Sequence, residues 1–446
     1  MNEKEEILSD IRNGNVNPNV VQELQNRIDE ETRLIFVRDR RDWLKLNKAF
    51  SKRELITAWV YVMLREKPDF PYRKISEDRA RKDFYKFYKS LDVHKHYIES
   101  SFCEKVSFRY DDQGGYRHKW EDHGKGVIRV ASETNNISDF FMQKNRMTCG
   151  YHKVSAPIEL WYSIEGLYSI IMFFWRMEGK SEVGRLIDES SYRSGVRLTG
   201  YMATQFKPYV ATMVYDFTKA KRVYDISCGW GDRLAGFYLS NAEVYYGSDP
   251  NKESFDIYKK MALAYEEWLF EITGKKAEVI SDGEDYFELK GNKTVRLMRL
   301  PAEGINFGGV EPFDLVFSSP PYFSTEEYGK GSLYEKDQSW FKYDTIDRWK
   351  NSFLYKVLDN VMPHSKRVWL NITDTSIGNN RQYICDEMVD RYSDSFQGII
   401  GMKMSKRPKK YSDDEKDFHQ GDFIEPIWCF GEKIERPKSR LETFFG

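Results

Sequence analysis

The chain has 446 residues, enough for two or three domains that each bury a core of their own. Its 69 Lys+Arg stand against 70 Asp+Glu, a formal net charge of -1, so bulk charge selects no partner and any nucleic-acid surface must be a local patch. The five cysteines, Cys103, Cys149, Cys228, Cys385 and Cys429, are scattered, and the seven histidines show no ligand spacing, which excludes a disulfide-stapled module and predicts no metal site, in a reducing, cytoplasmic setting.

The amino terminus, MNEKEEILSD, is acidic and lacks the apolar core of a signal peptide. Up to about Tyr192 the chain reads as helical, rich in aromatics and charges, with no repeated βα units. Val37 to Lys45 and Pro71 to Lys74 mix cations and aromatics as a nucleic-acid surface does, although aspartates dilute the charge; Arg193 and Arg197 add a similar hint. Ser51-Lys-Arg-Glu54 is a capping box and starts a helix at Lys52. ARKDFYKFYKSL, 80–91, spaces Phe84, Phe87, Tyr88 and Leu91 as one helix face, and DDQGGYRHKWEDHGKGVIRV predicts a hairpin around Gly114-Gly115. The apolar stretch from Ile158 to Met177 carries Glu159 and Glu165 and is expected to be a buried helix, not a membrane span.

After about Ser194 helices and strands alternate. YVATMVYDFTKA is a helix and RVYDIS a strand; a helix begins at Gly231, and EVYYGSDP is the next strand. SFDIYKKMALAYEEWLF is a long helix, followed by strands in TVRLMRLPAE and DLVFSSPPYF. RWKNSFLYKVLDNVM puts Trp349, Phe353, Val357 and Val361 on one helix face, ahead of the strand RVWLNITD. This alternation predicts an α/β fold, a mostly parallel sheet with helices on both faces and right-handed crossovers.

The strand ends hold the chemistry. Gly229 and Gly231 let the chain turn tightly after the first strand, but their spacing is not the G-x-G-x-x-G dinucleotide pattern. The loop opens on Asp225, a carboxylate that would repel a pyrophosphate and suits an ammonium group or ordered water. Asp249 ends the second strand, where an acid can accept both hydroxyls of a ribose, and Glu303 follows the third as an acceptor for an adenine edge. In EPFDLVFSSPPYF, Pro320 and Pro321 cannot donate to a ladder, so the strand must stop there in a stiff turn that projects Ser319 and Tyr322 from its carboxyl end.

Asp225-x-x-x-Gly229-x-Gly231, Gly247-x-Asp249-Pro250 and Ser319-Pro320-Pro321-Tyr322, in this order, resemble the S-adenosylmethionine-dependent amino-methyltransferases, which modify N4 of cytosine or N6 of adenine. Thr204-Gln205-Phe206-Lys207-Pro208 is similar to the family's segment bordering the cofactor, and EPIWCFGEK to its closing strand. The resemblance covers roughly the last 250 residues. It implies a Rossmann-like methyltransferase domain over 194–446 that binds S-adenosyl-L-methionine through Phe206, Asp225, Gly229, Gly231, Asp249, Glu303 and Ser318. It leaves 1–193 as a mainly helical domain suited to target recognition. The implied catalytic group is Ser319, Pro320, Pro321 and Tyr322: the Ser319 side chain and the Pro320 carbonyl take the two amine hydrogens, and Tyr322 stacks on the flipped base.

The implied partner is DNA, with a restriction partner left open. Serine at the first motif position leans toward N4 of cytosine. RNA guanine-N2 and protein glutamine enzymes use a related tetrapeptide beginning with asparagine, and a binding protein with a retained fold is the third reading. No cysteine follows a proline at a strand end, which excludes C5 methylation through a covalent adduct. Residues 323–343 are expected either to wall the target base with Tyr328, Lys330 and Trp340 or to form a mobile surface loop, and Lys406, Arg407, Lys409 and Lys410 are phosphate contacts or a solvated charge run.

Overall fold

The computed structural model describes residues 3–98, 119–129, 132–151, 154–176, 186–323, 327–328, 335–377, 380–405 and 422–433. The expected hairpin at Gly114-Gly115, Lys330 and the basic run Lys406 to Lys410 lie outside them. The chain forms two units, each discontinuous in sequence: 1–74 with 146–203, and 75–145 with 204–446. Residues 75–145, grouped by the sequence reading with the helical half, belong to the second unit because their strand and helices pack there. Phe84 of the helix Glu77–Phe87 stacks on Tyr265 at 5.6 Å, for example.

The first unit is helical. Its helix Lys52–Glu66 begins at the expected capping box, with Glu54 N donating to Ser51 Oγ at 3.2 Å and Ser51 N donating to Glu54 Oε2 at 2.9 Å. That helix turns Leu55, Ile56, Trp59, Val60 and Met63 inward. Trp59 Nε1 donates to the Tyr192 hydroxyl at 2.9 Å, which donates to the Ile35 carbonyl at 2.7 Å, so both polar atoms of this aromatic core are satisfied. The apolar stretch from Ile158 is two helices, Pro157–Trp161 and Ile164–Arg176, parted at Ser163, whose hydroxyl accepts from Gly166 N at 3.1 Å. No helix among the described residues is long and apolar enough to cross a membrane.

The second unit is built on one sheet. Its strands are β1 (Tyr97–Ile98), β2 (Gly124–Arg129), β3 (Arg222–Asp225), β4 (Val244–Ser248), β5 (Glu278–Asp282), β6 (Tyr286–Lys290), β7 (Thr294–Met298), β8 (Leu315–Ser318) and β9 (Arg367–Asn371). A small separate ribbon of β10 (Thr375–Ile377) and β11 (Asn380–Gln382) follows, and β12 (Phe396–Ser405) and β13 (Asp422–Gly431) return to the main sheet. The order is β1-β2-β12-β13-β9-β8-β3-β4-β7-β6-β5. β7, β4, β3, β8 and β9 are mutually parallel, and β13 runs antiparallel to both β9 and β12. Chain order runs outward from β3 through β4 to β7, then returns to β8 and β9 on the other side. This is a Rossmann-like doubly wound sheet with its switch point between β3 and β8.

Strand alternation puts helices on both faces. Phe317 meets Tyr215 of the helix Pro208–Phe217 at 6.0 Å, while its neighbour Val316 joins the core that contains Trp349, Leu358 and Met388. Trp349, Phe353, Val357 and Val361 are all buried as their spacing required. The helix bearing them is not uniform: a π-helical turn, Lys350–Leu354, links Ile346–Trp349 to Tyr355–Val361. The hairpin of β5 and β6 had no counterpart in the sequence reading; β5 is mostly exposed and lacks the apolar run of a central strand.

Candidate active site

The switch point brings the ends of β3 and β8 together through side chains. Asp225 is fully buried, and its Oδ1 accepts from Ser318 Oγ at 2.7 Å. Its Oδ2 accepts from Arg233 Nε at 2.9 Å and from the Tyr245 hydroxyl at 2.8 Å. Arg233, eight residues on in the helix Asp232–Leu239, also donates to the Ser227 carbonyl, and its guanidinium lies 5.2 Å from the Phe206 ring centroid. A buried carboxylate with this many donors is neutralised in place. The geometry therefore makes Asp225 and Ser318 the fastening between two strands, with no carboxylate oxygen left over for an ammonium group.

The glycines beyond Asp225 shape the loop. Gly229 has φ +55 and Gly231 φ +71, values that side chains disfavour, and Gly231 caps the helix Asp232–Leu239. A Cβ on Gly231 would also sit 2.7 Å from Met261, whereas one on Gly229 would meet nothing closer than 3.9 Å. Gly229 thus leaves open space beside its backbone. Cys228, just ahead of them in the turn, is buried and its thiol is held well above the usual range by that burial, as befits a small filler.

Asp249, just past β4, reaches this loop. Its Oδ2 accepts from Gly229 N at 3.0 Å and from the Tyr258 hydroxyl at 3.3 Å, and its Oδ1 accepts from Asn251 N at 3.0 Å. Tyr258 donates to the Gly229 carbonyl as well. Burial raises the Asp249 carboxyl to about 6, against the opposing pull of the Asn251 and Gly229 N–H groups. Phe206, 5.8 Å from the Phe317 ring, stands beside Arg233 at the same end of the sheet.

Glu303 does not join that group. It lies in the turn Ala302–Gly304 after β7, and its Oε1 accepts from Lys342 Nζ at 2.5 Å and the Tyr343 hydroxyl at 2.7 Å. Its Oε2 is buried and has no hydrogen-bond partner among the described residues. Such an acceptor is costly to leave unmade, and it is available to a bound donor.

β8 ends as its prolines require. The Pro321 carbonyl accepts from Phe323 N at 3.0 Å, closing a tight turn around Tyr322, and Phe323 is held at φ +53, uncommon for an aromatic residue. Phe323 is buried against Trp349, at 6.4 Å, which fixes the far side of the turn. The Tyr322 hydroxyl donates to the Asn371 carbonyl, at 3.1 Å, at the end of β9. Among the described residues, neither Ser319 Oγ nor the Pro320 carbonyl has a hydrogen-bond partner. Two consecutive residues at the end of β8 thus each keep an acceptor without a partner.

Several residues at this end of the sheet escaped the sequence reading. Arg233 and Tyr258 are the main ones, and an opposite charge eight residues beyond Asp225, in the first turn of the next helix, was the signal for the first. Trp230, inside the glycine loop, meets Tyr328 at 5.4 Å, and Trp340 Nε1 donates to the Tyr328 carbonyl at 2.9 Å. The expected loop residue Tyr328 is thus brought against the glycine loop, and Trp340 against Tyr328. Among the described residues no group of three or more His, Cys, Asp or Glu is placed to hold a metal ion.

No protein-family model and no curated protein matches this chain. Solved structures do match, each over about half of it. A putative RNA methyltransferase from Pyrococcus horikoshii is 13% identical, with 51% of this chain and 82% of that one covered and a TM-score of 0.25. A methyltransferase from Pyrococcus furiosus is 15% identical, covering 50% and 83%, with a TM-score of 0.25. A SAM-dependent O-methyltransferase from Thermotoga maritima is 12% identical, covering 53% and 69%, with a TM-score of 0.28. At these scores the fold assignment rests on the strand order, not on the likeness.

Proposed function

We propose that the second unit is an S-adenosylmethionine-dependent methyltransferase acting on the exocyclic amine of a base in DNA, cytosine N4 ahead of adenine N6. The observation that carries the reading is the unpartnered pair of acceptors, Ser319 Oγ and the Pro320 carbonyl, at the switch point of a doubly wound sheet. An exocyclic amine is a weak nucleophile because its lone pair is delocalised into the ring. Acceptors on both of its hydrogens draw the nitrogen toward a tetrahedral shape and localise that pair. Proline fixes the carbonyl's direction, so the alignment is set before the base arrives.

The residues present fit the cofactor. Asp249 offers a carboxylate beside Gly229, and the partnerless Oε2 of Glu303 suits an amino group such as that of adenine. Gly229 leaves room for close approach, and Phe206 borders the same end of the sheet. When bound, S-adenosylmethionine supplies an electrophilic methyl on a sulfonium. Asp225 and Ser318 hold the two strand ends in register, and Tyr322 gives the open part of its partly buried ring to the base.

Nucleoside mass spectrometry on DNA and RNA from cells expressing the protein, beside cells expressing Ser319→Ala, tests this reading. N4-methylcytosine or N6-methyladenine in DNA, lost in the variant, is the expected result. A methyl gained only by RNA, or by neither polymer, overturns the DNA assignment.

A further inference from the structure

We propose that the exposed face of the helix Arg40–Ala49, in the first unit, grips the phosphate backbone of duplex DNA; the choice of polymer rests on the function proposed above. Arg38, Arg40, Arg41, Lys45, Lys48 and Lys52 are all exposed, and among the described residues none of them holds an ion pair. Elsewhere in this unit Arg12, Arg27, Arg33, Arg53 and Arg193 each hold a carboxylate, and the exposed cations without an ion pair among the described residues, such as Arg65, Lys67 and Arg197, are scattered. The clustering is therefore not a general property of the surface.

The acids that dilute this stretch in the sequence are spent on structure. Asp42 is taken by Arg27 at 2.6 Å. Asp39 caps the helix, its Oδ1 accepting from Arg41 N at 2.7 Å and Asp42 N at 3.0 Å. Folding does not explain the cations. Arg40, Arg41 and Lys52 occupy the first turns of their helices, where the helix dipole disfavours positive charge.

Geometry selects the partner. Trp43 and Leu46 face the core, and Arg41, Lys45 and Lys48, at i, i+4 and i+7, line the opposite side. The row rises about 10 Å along the helix. One DNA strand places a charge every ~3.4 Å of axis, so the row spans about three phosphates. Leu44, 51% exposed, is the large apolar side chain on this face, too little to anchor the helix in a lipid surface.

The test is fluorescence anisotropy of the full chain with a labelled duplex across a salt series. The variant is Arg41→Gln/Lys45→Gln/Lys48→Gln, and a charge-matched control, Arg12→Gln/Arg33→Gln/Arg53→Gln, removes three paired cations. The face variant is expected to bind at least tenfold more weakly at low salt, its log–log salt slope reduced by about 2.7, while the control changes little. Far-UV circular dichroism and the urea-unfolding profile should be the same for all three proteins, which shows the face variant folded. Equal duplex affinity in face variant and parent, or an equal loss in the control, overturns the proposal. Binding of single-stranded RNA or anionic vesicles, but not duplex DNA, overturns it too. Face-dependent duplex binding without any methylated base supports this surface and overturns the enzymatic reading alone.

Discussion

β3 and β8 lie side by side and end at the same edge of the sheet, yet they treat their polar groups in opposite ways. At the end of β3 the Asp225 carboxylate is taken by Arg233, Tyr245 and Ser318. At the end of β8 Ser319 Oγ and the Pro320 carbonyl are unpartnered among the described residues. Saturated groups fix geometry; unsaturated ones wait for a ligand. The difference separates residues that build the site from residues that use it, which residue type alone cannot do.

The largest effect should come from breaking the saturated end. Asp225→Ala leaves the Arg233 guanidinium buried without its carboxylate and is expected to cost about 3–5 kcal/mol in urea unfolding. Ser319→Ala should stay within ~0.5 kcal/mol of the parent while losing rate at unchanged cofactor affinity. A Ser319→Ala stability loss above ~1 kcal/mol would assign that hydroxyl a structural partner and erase the contrast.

Next come the two glycines, alike in sequence and unlike in surroundings. Alanine at Gly231 meets both the positive φ and Met261, and should cost about 2–3 kcal/mol; at Gly229 only the backbone strain remains, about 1 kcal/mol. Thermal or urea unfolding of the pair decides it. Equal costs would mean that Met261 moves aside freely.

Asp249 sharpens the comparison through pH. Its carboxyl sits at about 6 in the folded chain, above the ~3.9 of an unperturbed aspartate. A raised value favours the protonated folded state, so that contribution to stability is present below pH ~4 and lost as pH rises through ~6. Cofactor binding that needs the carboxylate runs the other way: affinity should weaken up to tenfold per pH unit below ~6 and level off above ~7. Calorimetry between pH 5 and 8 checks this, with Asp249→Asn expected to be weak and flat. A parent profile without a step near 6 removes the ribose assignment.

Much of this was legible in the chain because it depends on local rules. The prolines that end β8, the glycines that turn after β3 and the capping box at Ser51 each act within a few residues. What was not legible depends on distant partners. Arg233, eight residues on, is a faint local hint of a partner for Asp225 and Tyr245 is none, so the fastening of β3 to β8 was not foreseen. Residues 75–145 read as part of the helical half because β2 is short and finds its neighbour β12 more than 260 residues away. The aspartates among the cations at 38–42 looked like dilution until Arg27 and the helix cap accounted for them.

The smallest effect tests how the β8 turn is held and what its tyrosine supplies. The Tyr322 hydroxyl donates to the Asn371 carbonyl at 3.1 Å, and its partly buried ring is the proposed stacking surface. Tyr322→Phe deletes the hydrogen bond and keeps the ring. One neutral bond contributes about 0.5–1.5 kcal/mol, so the turn should loosen slightly and the methylation rate should fall only a few fold. Tyr322→Ala removes the stacking as well, for a further loss of about 1–3 kcal/mol in binding of the flipped base. If Phe is as damaging as Ala in single-turnover methylation, the hydroxyl and not the ring carries the contribution. The turn would then depend on β9 for its alignment, and the unsaturated end of the comparison would be less self-contained than its two prolines suggest.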